Sequence, residues 1–258
     1  MRSVKILLLT LVIGSAYTLN GCCNAQQQQP ASPQVTTAAC KSCDTSCLNQ
    51  SPINIIDTSV GDSSAQPFTP AASLLYITAQ PVTVKFVKFT LPGFDNMEAV
   101  PATAANNFIM LNGEHYNLVK FHFHAPSEHA INAARADMEM HLVYAKPGTT
   151  QRAIIGILIN ATGPDNPFIT KLWSGFQHPA DTMQVDMPAL QLSTKLSSYY
   201  TYTGSLTVPT YQEGATWFVS KYRITVSPAQ LKAFQSMHYG SARALQPRNN
   251  RIIFKTKN

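Results

Sequence analysis

Beyond residue 80 the apolar positions gather into short runs rich in β-branched and aromatic residues. Val82-Thr83-Val84-Lys85-Phe86-Val87-Lys88-Phe89-Thr90 and Ala153-Ile154-Ile155-Gly156-Ile157-Leu158-Ile159 are two such runs, bounded by Pro or Gly, and read as strands. Trp217-Phe218-Val219 and Arg251-Ile252-Ile253-Phe254 read the same way. So do Phe121-His122-Phe123-His124 and Met138-Glu139-Met140-His141-Leu142-Val143, whose connection is long enough to bring the second back antiparallel beside the first. Helices are few and short: Pro167 to Phe176, and Pro228 to Met237 with Ser227 as its cap and Pro228 in its first turn. Strands at this spacing, with scant crossover helices, predict a mainly β (α+β) fold on a largely antiparallel sheet. No internal repeat is visible.

The first 47 residues break the pattern. Arg2 and Lys5 precede an apolar run, Ile6 to Leu19, that is too short for a comfortable membrane span and has the form of an export signal. Leu19-Asn20-Gly21-Cys22 resembles a bacterial lipobox, which predicts a signal over residues 1–21 and a lipid on Cys22 that attaches the chain to a membrane. The alternative is cleavage near Ala25 to a soluble secreted form. Either way the expected location is the periplasm or cell envelope. Residues 22–47 form a polar, Pro-bearing tether without apolar period. All five cysteines fall within it, so none can staple the later core to itself. Cys40, Cys43 and Cys47 are one short of a four-ligand zinc site, and a local disulfide with one thiol left over is expected, its pairing open. Residues 48–258 remain, enough for one domain with a sizeable core.

Charge excludes one class of partner. The formal net charge is +6, and without Arg2 and Lys5 it becomes 17 basic against 13 acidic residues, or +4. That mild bias lacks the basic runs that nucleic-acid binding would need.

Histidine placement changes the picture more. Four of the seven histidines (122, 124, 129 and 141) fall within twenty positions. On a strand His122 and His124 share one face while Phe121 and Phe123 take the other. With His141 beside them, three neutral imidazoles make a catalytic zinc set: a fourth position stays open for water, whose pKa falls from about 15.7 to about 7. The competing reading is three ordinary histidines on a sheet, satisfied by backbone or water. Glu139, two before His141 on the same face, is suited to accept that ligand's other ring N–H.

Three blocks in order then carry a resemblance. Gln50-Ser51-Pro52-Ile53-Asn54-Ile55 is the first. Phe121-His122-Phe123-His124 with Ser127-Glu128-His129 and Glu139-Met140-His141-Leu142-Val143 is the second. Gly204-Ser205-Leu206-Thr207 through Glu213-Gly214-Ala215-Thr216-Trp217 is the third. From about Leu48 to the C-terminus the chain resembles the α-class carbonic anhydrases. The resemblance implies one large twisted central sheet with peripheral helices, and reversible hydration of CO2 to bicarbonate and a proton by zinc-bound hydroxide. It implies Zn2+ on His122, His124 and His141, and Thr207 with Glu128 as the pair that aims the hydroxide. His129 is expected to be a buried structural histidine. Val143, Leu206 and Trp217 are expected to form the apolar wall for CO2, with Val208 at the same end of the cavity.

The chain departs from the family's pattern at several positions. Lys120 stands two before the first histidine, where the family usually has a glutamine; an ammonium has three donors and no acceptor for the His122 ring. Either Lys120 turns away and water takes over, or its charge sits near the metal. Val208 replaces a threonine. Tyr211 stands where exported members often carry a disulfide cysteine. Phe94, after Gly93, occupies the place of the proton-shuttle histidine, so slow to moderate turnover is expected unless buffer, His115 or His178 substitutes. These departures also favour a rival reading, a catalytically weak carbonic-anhydrase-like binding module at the cell surface.

Overall fold

The computed structural model describes residues 47–57, 65–68, 75–91, 94–103, 106–178, 181–237 and 242–256. The expected signal, Cys22, most of the tether, and Pro92 with Gly93 lie outside the described residues. Cys47 is disulfide-bonded, and its partner also lies outside them.

Seven strands carry the site: β1 (Val82–Leu91), β2 (Phe94–Pro101), β3 (Glu114–His124), β4 (Met138–Ala145), β5 (Arg152–Asn160), β6 (Tyr199–Ser205) and β7 (Glu213–Ser220). They lie side by side in the order β1-β2-β3-β4-β5-β7-β6 within a sheet of 13 strands among the described residues. Thr182–Val185 extends the sheet beyond β1, and Ile253–Thr256 followed by Ala65–Phe68 extends it beyond β6. Most pairings are antiparallel, as expected from the sequence. Among the described residues of this sheet the exceptions are β5 against β7, β5 against Ile224–Thr225, and the outermost pair Ile253–Thr256 with Ala65–Phe68.

Alternation along the strands separates two apolar clusters. Phe121 and Phe123 of β3, Met140 and Leu142 of β4, and Ile155 and Ile157 of β5 join the larger one. Val143, Ile154, Trp217 and Val219 join the smaller one with Ile53 and Ile55. Two helices cover the larger face. Helix α1 (Pro167–Phe176) is capped by Asn166, whose side chain accepts from the N–H groups of Phe168 and Ile169. Helix α2 (Pro228–Met237) starts at a reciprocal box: Ser227 Oγ accepts from Gln230 N–H at 3.1 Å, and Gln230 Oε1 accepts from Ser227 N–H at 3.2 Å. Trp173 of α1 packs on Phe123 and on Phe234 of α2, with ring centroids 4.9 and 5.0 Å away. Aromatic pairs at such distances add to the plain burial of area.

The two helices start and end where the sequence predicts. The last strand does not: it runs over Ile253–Thr256 rather than Arg251–Phe254. Arg251 is spent on a turn, its guanidinium donating to the carbonyls of Pro247, Arg248 and Thr203.

Candidate active site

In the antiparallel register of β3 and β4, His122 stands opposite His141 and His124 opposite Glu139. Residues two apart on a strand share a face, so Lys120, His122 and His124 point the same way as Glu139, His141 and Val143. The three histidines are buried, and each offers a ring nitrogen within 4.8 Å of the others'. Neighbouring register rows build the surroundings. Lys120, Val143, Ile154 and Trp217 form one row across β3, β4, β5 and β7. His122, His141, Gly156 and Val219 form the next.

Behind His141 lies a closed chain of hydrogen bonds. Glu139 Oε1 is 3.0 Å from His141 Nε2 and 2.7 Å from His129 Nδ1, while Oε2 accepts from the His129 backbone N–H at 2.8 Å. Burial alone would raise the Glu139 carboxyl, but His129 and His141 outweigh it and hold it well below the usual carboxylate range. An ionised carboxylate can only accept, so both rings donate to it. His129 therefore accepts at Nε2 from the Tyr202 hydroxyl, 2.7 Å away. Burial pushes that hydroxyl's pKa far up and keeps it a donor. Ser51 Oγ then donates to the Tyr202 oxygen at 2.9 Å, and it accepts from Ser205 N–H. The chain fixes the proton of His141 on Nε2 and leaves its Nδ1 lone pair for a metal.

The donor set fits a cation. Burial first, then His124, His141 and Lys120, push His122 well below the ordinary imidazole value, so the ring is neutral. Glu128 Oε1 accepts from Arg243 N–H at 2.8 Å. Its Oε2 is buried without a hydrogen-bond partner among the described residues, 3.6 Å from His124 Nε2 and 3.8 Å from His141 Nδ1. A carboxylate oxygen facing imidazole nitrogens across such gaps is accommodated by a positive charge between them. The rings, the carboxylate and their burial together suit zinc.

His122 and His141 open into a cavity of about 250 Å3. Val143, Ile154, Leu206, Val208 and Trp217 give it an apolar wall, and Lys120, Arg152 and Thr207 add polar groups. Trp217 is held by its Nε1–H, which donates to Ser205 O at 2.9 Å, and its ring stands against His129 and His141. A larger concavity, about 560 Å3 around Thr203 and Arg251, brings no metal-ligating cluster together among the described residues. Chemistry, not size, selects the site.

Residues 34–257 match the family model described as eukaryotic-type carbonic anhydrase. The chain belongs to that family. A carbonic anhydrase of Klebsiella pneumoniae is 32% identical over 214 residues, which cover 81% of this chain and 80% of the relative. Among solved structures, the α-carbonic anhydrase of Photobacterium profundum is 26% identical with a TM-score of 0.66, covering 80% of this chain and 89% of its own. Dioscorin complexed with ascorbate is 27% identical with a TM-score of 0.67, covering 80% and 85%. As a carbonic anhydrase the chain is an enzyme, and its substrate and product are CO2 and bicarbonate.

The positions that depart from the family's pattern each have a definite setting. Lys120 neither turns away nor stands alone: its ammonium is 2.5 Å from Glu98 Oε1 on β2. Val208 lines the cavity. Tyr211 lies under the Arg243 guanidinium, 3.7 Å from ring centroid to Cζ. Thr207 lines the cavity and Glu128 lies beneath the ligands, and no hydrogen bond joins the two among the described residues. His129 is wholly buried in the Glu139 chain. His115 packs on Phe108, seven residues before His122 and so about 23 Å along the strand. Neither His115 nor exposed His178 lines the cavity. Sequence reasoning did not single out Ile154, Gly156, Glu98, Tyr202 or Arg243 for the site. Ile154 was within reach, because its predicted strand and the Val143 strand meet in register; Glu98 carried no local signal at all.

Proposed function

We propose that the chain interconverts CO2 and bicarbonate through zinc held by His122, His124 and His141. What carries this reading is the trio of buried imidazoles with Glu139 fixed at the far nitrogen of His141. When bound by three neutral imidazoles, zinc lowers the pKa of a coordinated water to about 7 and so supplies a nucleophile at neutral pH. This chain's residues do the remainder. Glu139 fixes the His141 tautomer and raises its basicity. With the metal bound, the Thr207 hydroxyl would accept a hydrogen bond from that nucleophile and donate onward to Glu128, a contact not made among the described residues as they stand, where Glu128 Oε2 has no hydrogen-bond partner. That polarity would aim a lone pair at the CO2 carbon and disfavour groups unable to donate. Val143, Leu206, Val208 and Trp217, joined by Ile154, exclude water where CO2 rests.

Proton release is the slow part of this reading. Among the described residues the only imidazoles lining the cavity are His122 and His141. Buffer therefore carries the proton, and turnover is slow to moderate. The rival, a weakly catalytic binding module, draws on Lys120 and Val208, but a pure binder has no use for a fixed ligand tautomer. We also propose that the chain is exported to the periplasm or cell envelope, either anchored by lipid on Cys22 or released in soluble form by cleavage near Ala25. Failure of labelled fatty acid to enter the parent, or its equal entry into Cys22→Ala, would remove the lipid.

Metal analysis with kinetics tests the site. The parent is expected to hold one zinc per chain, and His122→Ala to lose it. Thr207→Ala is expected to keep zinc and lose about 100-fold in kcat/KM, the scale of a lost transition-state contact. An unchanged rate in Thr207→Ala would deny that residue its role, and a zinc-free parent would sink the reading.

A further inference from the structure

Glu98 enters the site only through the fold. It lies on β2 directly across from His122 in the sheet register, and it is 8% exposed. Its Oε1 stands 2.5 Å from the ammonium of Lys120. Lys120 precedes His122 by two residues on the same face and lines the cavity, its ammonium also 5.5 Å from the Phe89 ring centroid. An unpaired ammonium in that place would repel a divalent cation on His122. Being a donor only, it gives nothing to His122 Nδ1, which is buried without a hydrogen-bond partner among the described residues. A carboxylate in contact reduces the lone charge to a dipole, whose field falls off faster with distance. Carboxylates are seldom this buried unless paired, so the pairing also explains why Glu98 is tolerated beneath the cavity.

We propose that Glu98 is a positioning residue of the metal site: its carboxylate clamps Lys120 and cancels its charge, so that the three-imidazole set retains zinc affinity with a lysine beside it. The inference rests on the zinc reading above. It assigns Glu98 no contact with substrate and no proton transfer; its effect is exerted through Lys120.

Zinc affinity, measured by chelator competition at fixed pH on the full chain, tests it with four proteins: the parent, Glu98→Gln, Lys120→Gln and the double variant. Glu98→Gln is expected to bind zinc ten- to a hundredfold more weakly, the usual cost of losing a partner around a ligand. The defect should shrink as salt rises, because the exposed charge is screened. The double variant is expected within a few-fold of the parent, since it removes the charge that Glu98 compensates. A role in packing alone would not be rescued in this way. Lys120→Gln alone should bind at least as tightly as the parent, and this arm stands even if Glu98→Gln fails to fold. Parental affinity in Glu98→Gln, a double variant as weak as Glu98→Gln, or weakened binding in Lys120→Gln would each overturn the proposal while leaving the zinc reading intact. A parent that binds no zinc overturns both.

Discussion

Glu139 receives three N–H donors, and the room for its carboxylate comes from a missing side chain. Gly156 stands opposite His141 on β5, and a Cβ there would lie 2.6 Å from Glu139 Oε1. Real Cβ atoms do not approach so closely, so Gly156→Ala must displace the carboxylate or spread the strands. The expected cost is about 1–3 kcal/mol, the range for overpacked cores, with weaker zinc binding. Thermal melting and chelator competition measure the two effects, and a variant unaffected in both would show that the carboxylate has slack. The sequence made the histidines legible because a spacing of two fixes their common face without further knowledge. It hid Gly156 and Glu98, whose parts depend on which residue stands opposite on another strand. Register of that kind is a tertiary fact.

The loop between β6 and β7 is the element on which Thr207 depends. Gln50 Nε2 donates to Tyr211 O at 3.2 Å, and Asn49 N–H donates to Glu213 Oε1 at 2.7 Å. Above the loop, Arg243 stacks on Tyr211, donates its backbone N–H to Glu128, and donates through its guanidinium to Ser51 O. One arginine thus ties the Thr207 loop to Glu128, in the place where exported relatives are expected to use a disulfide. Tyr211→Ala should lower stability by about 0.5–1 kcal/mol, the range of a partly exposed cation–π contact, and reduce kcat/KM with zinc content unchanged. Tyr211→Phe should retain both, because the ring face is preserved. Denaturant melts and kinetics of the pair check this, and equal losses in the two would point to the hydroxyl instead. Among the elements, α2 was readable from its cap Ser227 and from Pro228, which act within one turn, whereas Asn166, the cap of α1, was not singled out. The last strand was misplaced by two residues because Arg251 bonds the carbonyls of Pro247 and Arg248 just before it and of distant Thr203, which the run of apolar residues does not reveal.

Over the whole molecule, remote segments are pinned by ion pairs outside the site. Asp57, two residues after Ile55, meets Lys255 Nζ at 2.5 Å and the Tyr200 hydroxyl, joining three distant parts of the chain. Burial would raise its carboxyl, yet the bonds from Lys255 and Tyr200 outweigh it and lower the pKa below 3.8. A carboxyl depressed in the folded state contributes stability that is complete above 3.8 and is lost as pH falls through the folded value. Asp57→Asn should therefore melt lower than the parent at pH 7, and the gap should close as pH drops below about 4. A gap independent of pH would mean that the charge is not what matters. The fold class was legible because short β-rich runs without crossover helices leave few alternatives. The parallel joint of β5 and β7 was not, since nothing local distinguishes it.

Zinc held on these three histidines would make the chain a metal-dependent hydratase of CO2. The most direct measurement is stopped-flow CO2 hydration on protein of known metal content, before and after zinc is stripped, in dilute and in concentrated buffer. The expected rate stands above the buffer background, follows zinc occupancy and rises with buffer concentration. A protein holding one zinc per chain and hydrating CO2 no faster than buffer alone would contradict it.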